Sequence, residues 1–278
     1  MDNFEGLTAV VTGSASGIGR ALAVKAASEG MNVCIADMNS SALEILADEL
    51  KAKGVNVYAQ KLDVSSSESV KSFAAECFSR FNTVELLFNN AGILSLGCAW
   101  EQSVEDWERL LSINVMGVVN GINAFLPAMV EAEKAAHIVN TGSVGSLVAA
   151  AGMAQYTASK MAVRGITECL SVELQLQQAP IGVSLLCPGP VATNIAEGVI
   201  TRALGDDASA EMIAEAKAAT VAGDPNFITP DVCAELVFSA IRDNKFWIFT
   251  HPFNRYYKGL TDAVLNGENP SYSDVEFD

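Results

Sequence analysis

The sequence predicts an α/β fold, a doubly wound parallel sheet of about seven strands with helices on both faces. Short β-branched apolar runs alternate with longer segments of helical periodicity, and the first run ends in a turn rich in glycine. Parallel strands need helical crossovers, so this alternation favours one continuous sheet. In chain order the runs are "TAVVT", "NVCIAD", "NVYAQKLD", "VELLFNN", "AHIVNTGS", "IGVSLLCPG" and "KFWIFT".

The chain is predicted to be a single domain over residues 1–278. Its length of 278 residues lies within the range of large α/β domains, and half of its residues are apolar, which is enough for a sizeable core. The strand–helix rhythm stops over residues 192–230, so we expect this insertion to fold over a site as a substrate-binding lid. A helix resumes at Thr229 and Pro230, a favourable N-cap and first helical residue. Residues 251–278 form an aromatic tail that we expect to pack on its own sheet, on the cleft or on another subunit.

Charge and cysteine usage exclude several classes of function. The formal net charge of −16 would repel nucleic acid and anionic membranes, and no run of 18 apolar residues or signal peptide is present. Six scattered cysteines without a C-x-x-C pair favour a reducing cytoplasm. With two histidines and no Cys/His cluster, no metal site is expected.

The glycine-rich turn predicts a site for an anion. Gly13, Gly17 and Gly19 follow the first strand and open a helix, whose N-terminus favours negative charge. The turn lacks the G-K-[ST] ending of a P-loop. Asp37 ends the second strand and is placed to accept hydrogen bonds from a ribose, so the pattern indicates a Rossmann-like dinucleotide site.

A second motif predicts proton transfer. Tyr156 and Lys160 are four residues apart, so they share one face of a helix. A nearby cation lowers the pKa of a phenol towards neutrality, which would make the tyrosine a usable acid or base. Ser143 ends the fifth apolar run, at the sheet edge where such folds bind ligands, and its hydroxyl would hold a substrate oxygen.

These motifs together resemble the short-chain dehydrogenase/reductase family. The turn of Thr12 to Gly19 reads T-G-x-x-x-G-x-G, "NNAG" spans Asn89 to Gly92, and "PGPVAT" spans Pro188 to Thr193. Asn114 in "SINVMG" and the Ser143, Tyr156 and Lys160 positions complete the pattern, which extends from residue 7 to about residue 195.

The resemblance implies a catalytic set of Asn114, Ser143, Tyr156 and Lys160. Tyr156 would exchange a proton with the substrate oxygen while hydride moves to or from a nicotinamide. Lys160 would lower the pKa of Tyr156 and bind the nicotinamide ribose. Ser143 would orient the substrate, and Asn114 would hold a water that relays protons.

The resemblance also implies a nicotinamide dinucleotide as cofactor. Asp63 would meet the adenine, Asn90 and Gly92 would line the cofactor wall, and Thr193 would reach the carboxamide. The full set of candidate cofactor residues is Gly13, Ser16, Gly17, Ile18, Gly19, Asp37, Asp63, Val64, Asn90, Ala91, Gly92, Tyr156, Lys160, Pro188, Gly189, Val191 and Thr193.

Charge near Asp37 favours NAD over NADP, because its carboxylate would repel a 2′-phosphate and Ser14, Ala15, Ser16 and Met38 supply no cation. Apolar or small residues are expected to face the cleft, which predicts a hydrophobic, bulky or aromatic secondary alcohol or ketone as substrate. They are Leu94, Leu96, Gly145, Leu147, Val148, Met153, Val191, Ile195 and Val199.

Other functions stay open. A steroid reductase or a 3-oxoacyl thioester reductase of the same family is one alternative; the thioester role is less favoured because Asn120 and Val172 stand where acyl-carrier reductases tend to carry basic residues. A non-catalytic nucleotide-binding module and a nucleotide-sugar epimerase or dehydratase are two others. The resemblance further implies a homodimer or homotetramer that packs through long helices.

Overall fold

A computed structural model describes residues 1, 3–205, 208–270 and 275–278, without the side chain of residue 202. The seven predicted strands are confirmed, and they form one parallel sheet in the order β3-β2-β1-β4-β5-β6-β7. The strands are β1 Thr8–Thr12, β2 Asn32–Asp37, β3 Val57–Lys61, β4 Leu86–Asn89, β5 Ala136–Thr141, β6 Ile181–Cys187 and β7 Trp247–Phe249.

Helices connect the strands. They are α1 Gly17–Ser28, α2 Ser40–Ala52, α3 Ser67–Phe81, α4 Val104–Asn114, α5 Met116–Glu131, α6 Ala154–Leu176, α7 Glu197–Leu204, α8 Ala210–Gly223, α9 Pro230–Arg242 and α10 Asn254–Leu265, with a 3-10 turn at Val144–Ser146. The predicted start of α9 is confirmed, because the Thr229 side chain accepts a hydrogen bond from the Val232 backbone N–H.

Alternation along the central strands divides the core into two layers. Ala9 and Val11 of β1 pack with α1, α2 and α9, whereas Val10 packs on the opposite face with α3, α5 and α6. Neighbouring residues of a strand point to opposite faces, so a strand buried on both faces must be apolar at every position. The doubly wound architecture is therefore confirmed.

The topology reverses between β1 and β4. Crossovers run outward from β1 to β3 in one direction and from β4 to β7 in the other. Ligands of open α/β sheets bind beyond the carboxyl ends of the strands at such a reversal. The fold thereby places the ends of β1, β2, β4 and β5 around one crevice.

Helices α4 and α5 form a run of 28 residues that is long and apolar enough, by length and composition, to cross a membrane. Phe125 and Met129 of this run nevertheless pack in the second core layer. Asn114 and Asn120 are buried and hydrogen-bonded to other segments. The apolar residues of α4 and α5 are therefore explained by the packing of these helices in the protein core.

Candidate active site

A cleft of about 740 Å³ lies at the carboxyl ends of the strands. It is lined by most of the residues that the sequence predicts for a dinucleotide and a reacting substrate. These are Gly13, Ser16, Gly17, Ile18, Gly19, Asp37, Asn90, Ala91, Gly92, Ser143, Tyr156, Lys160, Pro188, Gly189, Val191 and Thr193. Asn114, Asp63 and Val64, which the structure also describes, lie outside the lining.

Each glycine of the first turn meets a different constraint. Gly13 has φ of +65°, and a Cβ there would lie 2.7 Å from the Cα of Ala91. Gly17 has φ of +53° and faces the Thr193 side chain, while a Cβ on Gly19 would overlap the carbonyl oxygen of Gly13. Only glycine tolerates such positions readily, and the result is a cradle with exposed N–H groups at the start of α1. This cradle fits a pyrophosphate.

Asp37 is held rigidly beside this cradle. One carboxylate oxygen accepts a hydrogen bond from the Ala15 backbone N–H at 3.0 Å, and the other accepts one from the Asn39 N–H at 2.9 Å. Arg20, the basic residue that directly follows the glycine turn, is paired with Glu49 of α2. The negative charge at the end of β2 is therefore fixed in place, and that arginine is already paired with a carboxylate.

Asn90 connects three strands at the floor of the cleft. Its side-chain amide donates to the carbonyl oxygens of Thr12 and Gly13 at 3.1 and 3.3 Å, and its side-chain oxygen accepts from the Thr141 hydroxyl at 3.2 Å. Backbone N–H groups of Asn90 and Ala91 donate to the Thr12 hydroxyl. These hydrogen bonds hold the backbone of the glycine turn against the ends of β4 and β5.

Asp63 and Val64 lie outside the cleft lining and are hydrogen-bonded to other groups of the protein. The Asp63 carboxylate accepts hydrogen bonds from the backbone N–H and hydroxyl of Ser65. The Val64 carbonyl accepts a 2.8 Å hydrogen bond from the amide of Asn120, which is buried. Of the two positions where acyl-carrier reductases tend to carry basic residues, Asn120 is buried and Val172 is exposed.

The catalytic set is brought together at the ends of β5 and α6. Lys160 is 3% exposed; its ammonium donates to the Thr141 carbonyl at 2.9 Å and lies 5.5 Å from the centre of the Tyr156 ring. The Ser143 hydroxyl accepts a hydrogen bond from the Gly145 N–H at 3.1 Å. Gly92 lies directly beside this group, since a Cβ there would be 3.3 Å from the Asn114 side-chain oxygen and 3.5 Å from the Lys160 nitrogen.

Asn114 is fixed by contacts that the motifs did not reveal. Its side-chain oxygen accepts from the Ile93 N–H at 2.9 Å, and its amide donates to the Ile93 carbonyl and to the Ser159 hydroxyl. That hydroxyl donates in turn to the Tyr156 carbonyl at 2.7 Å. Ser159 is thus a supporting residue missed by sequence reasoning, although its place three residues after Tyr156 on α6 was a usable signal.

Burial is the largest cause of the pKa shifts of Tyr156 and Lys160. It lowers the pKa of Lys160 to about 8, because the charged ammonium loses its hydration. Burial also raises the pKa of Tyr156 above the ordinary value of a phenol, and interaction with the Ser143 hydroxyl opposes this rise. The expected lowering of the Tyr156 pKa by Lys160 is therefore wrong for these side chains taken by themselves.

The apolar wall of the cleft differs in part from the prediction. Leu94, Leu96, Met153, Val191, Ile195 and Val199 line it as expected. Leu147 and Val148 instead pack against Phe253 of the tail, and Gly145 lies behind Ser143. Apolar residues that the sequence analysis did not name also line it: Ile93, Leu110, Ile200, Val221 and Phe227.

Two helices of the segment 192–230, which the sequence predicts to be a lid, supply much of this wall. Residues 217, 220 and 221 of α8 line the cleft, and their i, i+3, i+4 spacing was a sequence signal for one helical face. The α7 and α8 helices are linked by Lys217, which hydrogen-bonds the Asn194 side chain and pairs with Glu197. Residues 206–207 of this lid lie outside the described residues.

The tail packs on its own domain. Helix α10 and residues 275–278 contact the segment after β5, with Tyr257 and Phe277 against the cluster of Val144, Val148 and Phe253. Residues 271–274 of the predicted 251–278 tail lie outside the described residues. Of the three sequence-based options for the tail, the structure shows packing on the same chain.

Comparison with known proteins gives a consistent result. A sequence profile of the short chain dehydrogenases matches residues 7–203. The "CLA biosynthesis dehydrogenase/reductase" of Lactiplantibacillus plantarum is 33% identical over 262 residues, which cover 91% of this chain and 90% of that protein.

Solved structures agree in fold. A short-chain dehydrogenase/reductase from Burkholderia phymatum, in complex with NAD, is 38% identical with a TM-score of 0.88 and covers 99% of both chains. An alcohol dehydrogenase from Thermococcus sibiricus, complexed with 5-hydroxy-NADP, is 25% identical with a TM-score of 0.73 and covers 88% of this chain and 96% of its own.

Proposed function

Because the chain belongs to the short-chain dehydrogenase/reductase family, we propose that this oxidoreductase uses NAD to interconvert a hydrophobic secondary alcohol and its ketone. One observation carries the proposal. The glycine cradle with Asp37 and the Ser143, Tyr156 and Lys160 side chains line the same cleft, beside an apolar wall. A dinucleotide and a small apolar substrate would meet there.

The chain's own residues account for binding and proton transfer. Ser143 holds the substrate oxygen, and Tyr156 donates a proton to it in reduction or takes one from it in oxidation. NAD bound along the cradle would accept or supply the hydride. Burial raises the pKa of Tyr156, so the phenol carries a proton near neutral pH that it can donate to the substrate oxygen.

Lys160 and Asn114 support this transfer. The ammonium of Lys160, fixed by the Thr141 carbonyl, would bind the nicotinamide ribose of the cofactor. Asn114 holds the Ile93 backbone beside the reacting groups, and we retain the proposal that a proton-relay water binds there.

The preference for NAD rests on Asp37. Its fixed carboxylate suits two ribose hydroxyls and disfavours a 2′-phosphate, and Arg20 is paired with Glu49. The structural relatives carry either cofactor, NAD in one and an NADP derivative in the other. Specificity therefore depends on the local charge of this chain and not on its fold.

The test is a steady-state panel of aryl and alicyclic secondary alcohols and their ketones, sterols and 3-oxoacyl thioesters, each with NAD(H) and NADP(H). We expect the highest kcat/KM with a bulky alcohol or ketone and NAD(H). Best turnover of thioesters, or a preference for NADP(H), would contradict the substrate or cofactor assignment respectively.

Assembly and location complete the proposal. Exposed apolar side chains on α5 and α6, such as Met116, Met161 and Val172, support a homodimer or homotetramer. All six cysteines are free thiols, which supports a cytoplasmic location. Light scattering and cell fractionation test these two points.

A further inference from the structure

A buried histidine outside the catalytic set lies where the lid meets the sheet. His251 follows β7 and is 6% exposed. Its Nε2 is 2.7 Å from the Asn226 carbonyl oxygen, and its Nδ1 is 2.8 Å from the Thr250 hydroxyl. The Thr250 oxygen in turn accepts a hydrogen bond from the Gly189 N–H at 2.9 Å.

The donors and acceptors in this series of hydrogen bonds can be assigned from the chemistry of each group. A carbonyl oxygen only accepts, so Nε2 of His251 carries a hydrogen, and in the tautomer with its single hydrogen on Nε2 the Nδ1 atom accepts the Thr250 hydroxyl hydrogen. Every donor from Gly189 to Asn226 then has one acceptor. We call the hydrogen-bonded series Gly189–Thr250–His251–Asn226 the lid clasp, and each of its donors has an acceptor within the series.

The lid clasp joins the two ends of the lid. Gly189 belongs to the Pro188–Thr193 turn, from which the lid starts, and Asn226 lies four residues before the lid ends. Next to it, Val191 and Ile228 form a parallel bridge, with hydrogen bonds from the Ala192 N–H to the Ile228 carbonyl and from the Ile228 N–H to the Pro190 carbonyl. His251 therefore lies beside this parallel bridge, which forms the base of the lid, and links its two segments.

The surroundings of the ring leave it little freedom. A Cβ on Gly189 would lie 2.6 Å from Nδ1 of His251, so the imidazole sits directly against the turn. The Phe277 ring covers it with centroids 4.9 Å apart. The terminal Asp278 is held by the Asn254 N–H at 2.6 Å and by the Arg255 guanidinium at 2.8 Å.

The lid depends on such a base because it has little core of its own. Helix α8 has no buried residue in the part of the chain that the structure describes. Segments with few buried contacts open at low free-energy cost unless their ends are held. The position of the lid's apolar residues over the cleft is therefore set mainly where the lid begins and ends.

We propose that His251 is a positioning residue: through Thr250 and Asn226 it fixes the base of the lid against the turn at Gly189 and so places Ile195, Val199 and Val221 over the bound substrate. This inference rests on the proposed function, since it assigns the lid to substrate binding. His251 acts through its neighbours and touches no reacting group.

The first test needs no substrate. Hydrogen exchange of segments 190–196 and 224–229 is measured by mass spectrometry on the full-length protein for His251→Leu and Thr250→Val. Loss of one buried hydrogen bond accelerates opening by about tenfold, so we expect faster exchange in both segments for both variants. Thr250→Val also covers the case in which His251→Leu fails to fold.

Two controls match these variants. Thr250→Ser keeps the hydroxyl and should exchange like the wild type. His137→Leu removes the other histidine, which is 2% exposed with its Nε2 2.7 Å from the Ser184 hydroxyl, away from the lid. This variant is expected to lose global stability without a selective change in the two lid segments.

The second test separates positioning from chemistry. We expect KM for a bulky alcohol to rise about tenfold in His251→Leu and Thr250→Val, with kcat within about twofold of the wild type and recovery in Thr250→Ser. Unchanged exchange at 224–229 in both variants, or faster exchange with unchanged KM, would overturn the inference. Faster exchange in both variants, together with a wild type that turns over no secondary alcohol with NAD, would support the lid clasp and reject the proposed function.

Discussion

The candidate catalytic residues and the proposed lid lie on different sides of one cleft region, but they are packed differently. Lys160 and Asn114 are 3% and 1% exposed and are bonded to backbone groups of neighbouring segments. The lid helix α8 carries no buried residue among the described positions. The candidate catalytic side chains thus belong to the densely packed core, whereas the proposed substrate wall belongs to a segment held mainly by its two ends.

This difference has a physical cause. Proton transfer requires groups placed within a hydrogen-bond length of each other, which only dense packing and satisfied partners can maintain. An apolar wall requires a surface of suitable shape, which a lightly packed helix pair provides. Substitutions in the two regions should therefore affect different kinetic parameters.

The largest expected effect is at Tyr156. Tyr156→Phe removes the proton-transferring hydroxyl and keeps the ring, so kcat should fall by about 10³-fold while the Kd of NADH changes less than about twofold. Stopped-flow turnover and NADH fluorescence titration measure the two quantities. Tyr58→Phe on β3, where the hydroxyl bonds Gln60 at 2.6 Å, is the matched control and should turn over normally. Substantial activity in Tyr156→Phe would mean that the reaction uses another acid.

The buried charge of Lys160 should appear in the pH dependence of stability. Its pKa is about 8 in the folded protein against 10.5 for an ordinary lysine. Between these values the unfolded chain binds more protons, so this group's contribution to the unfolding free energy rises with pH. Relative to Lys160→Met, the wild type should gain up to ~3 kcal/mol between pH 8 and 10.5.

Urea unfolding at a series of pH values measures that difference. The wild type and Lys160→Met are compared at each pH, so that titration of other groups cancels. Lys245→Met is the control, since that lysine is exposed and bonded to Asp243 at 2.8 Å. Parallel stability curves for the wild type and Lys160→Met would show that Lys160 is hydrated in the folded protein.

Cofactor choice is expected to change at Asp37. Asp37→Ser removes the carboxylate next to the glycine turn, and the ratio of kcat/KM for NAD to that for NADP should fall by about 100-fold, or ~2.7 kcal/mol. Glu44→Ser, at an exposed position of α2, should leave the ratio unchanged. An unaltered ratio in Asp37→Ser would indicate that other groups read the ribose.

The smallest effect is expected in the lid. Ile195→Ala combined with Val199→Ala removes apolar surface from the cleft wall, so KM for a bulky substrate should rise about tenfold, with kcat and the KM of a small substrate little changed. Met212→Ala on α8, 47% exposed and outside the cleft lining, is the control. A tenfold loss of kcat in this double variant would mean that the lid contributes to proton or hydride transfer and not only to substrate binding.

Much of the fold and of the candidate site was predictable because the signals are local. Strand runs, the glycine turn and the Tyr156–Lys160 spacing each follow from the period of a strand or a helix within a few residues. The carboxyl ends of parallel strands meet at one edge, so local motifs converge on one cleft without further information.

The rest depended on contacts between distant segments. Asn120 reaches the Val64 carbonyl 56 residues away, and Leu147 and Val148 contact the tail instead of the cleft. The pKa of Tyr156 also rises because of the atoms that surround it, and not because of its neighbours in sequence.

The sequence by itself determined which candidate group follows which strand. The glycine cradle follows β1, a carboxylate ends β2, and the serine, tyrosine and lysine follow β5. The tertiary structure alone decided that His251 joins Gly189 to Asn226 and so where the lid is held. Helix and strand periods are properties of neighbouring residues, whereas burial and hydrogen-bond partners arise only when segments far apart in the chain pack together.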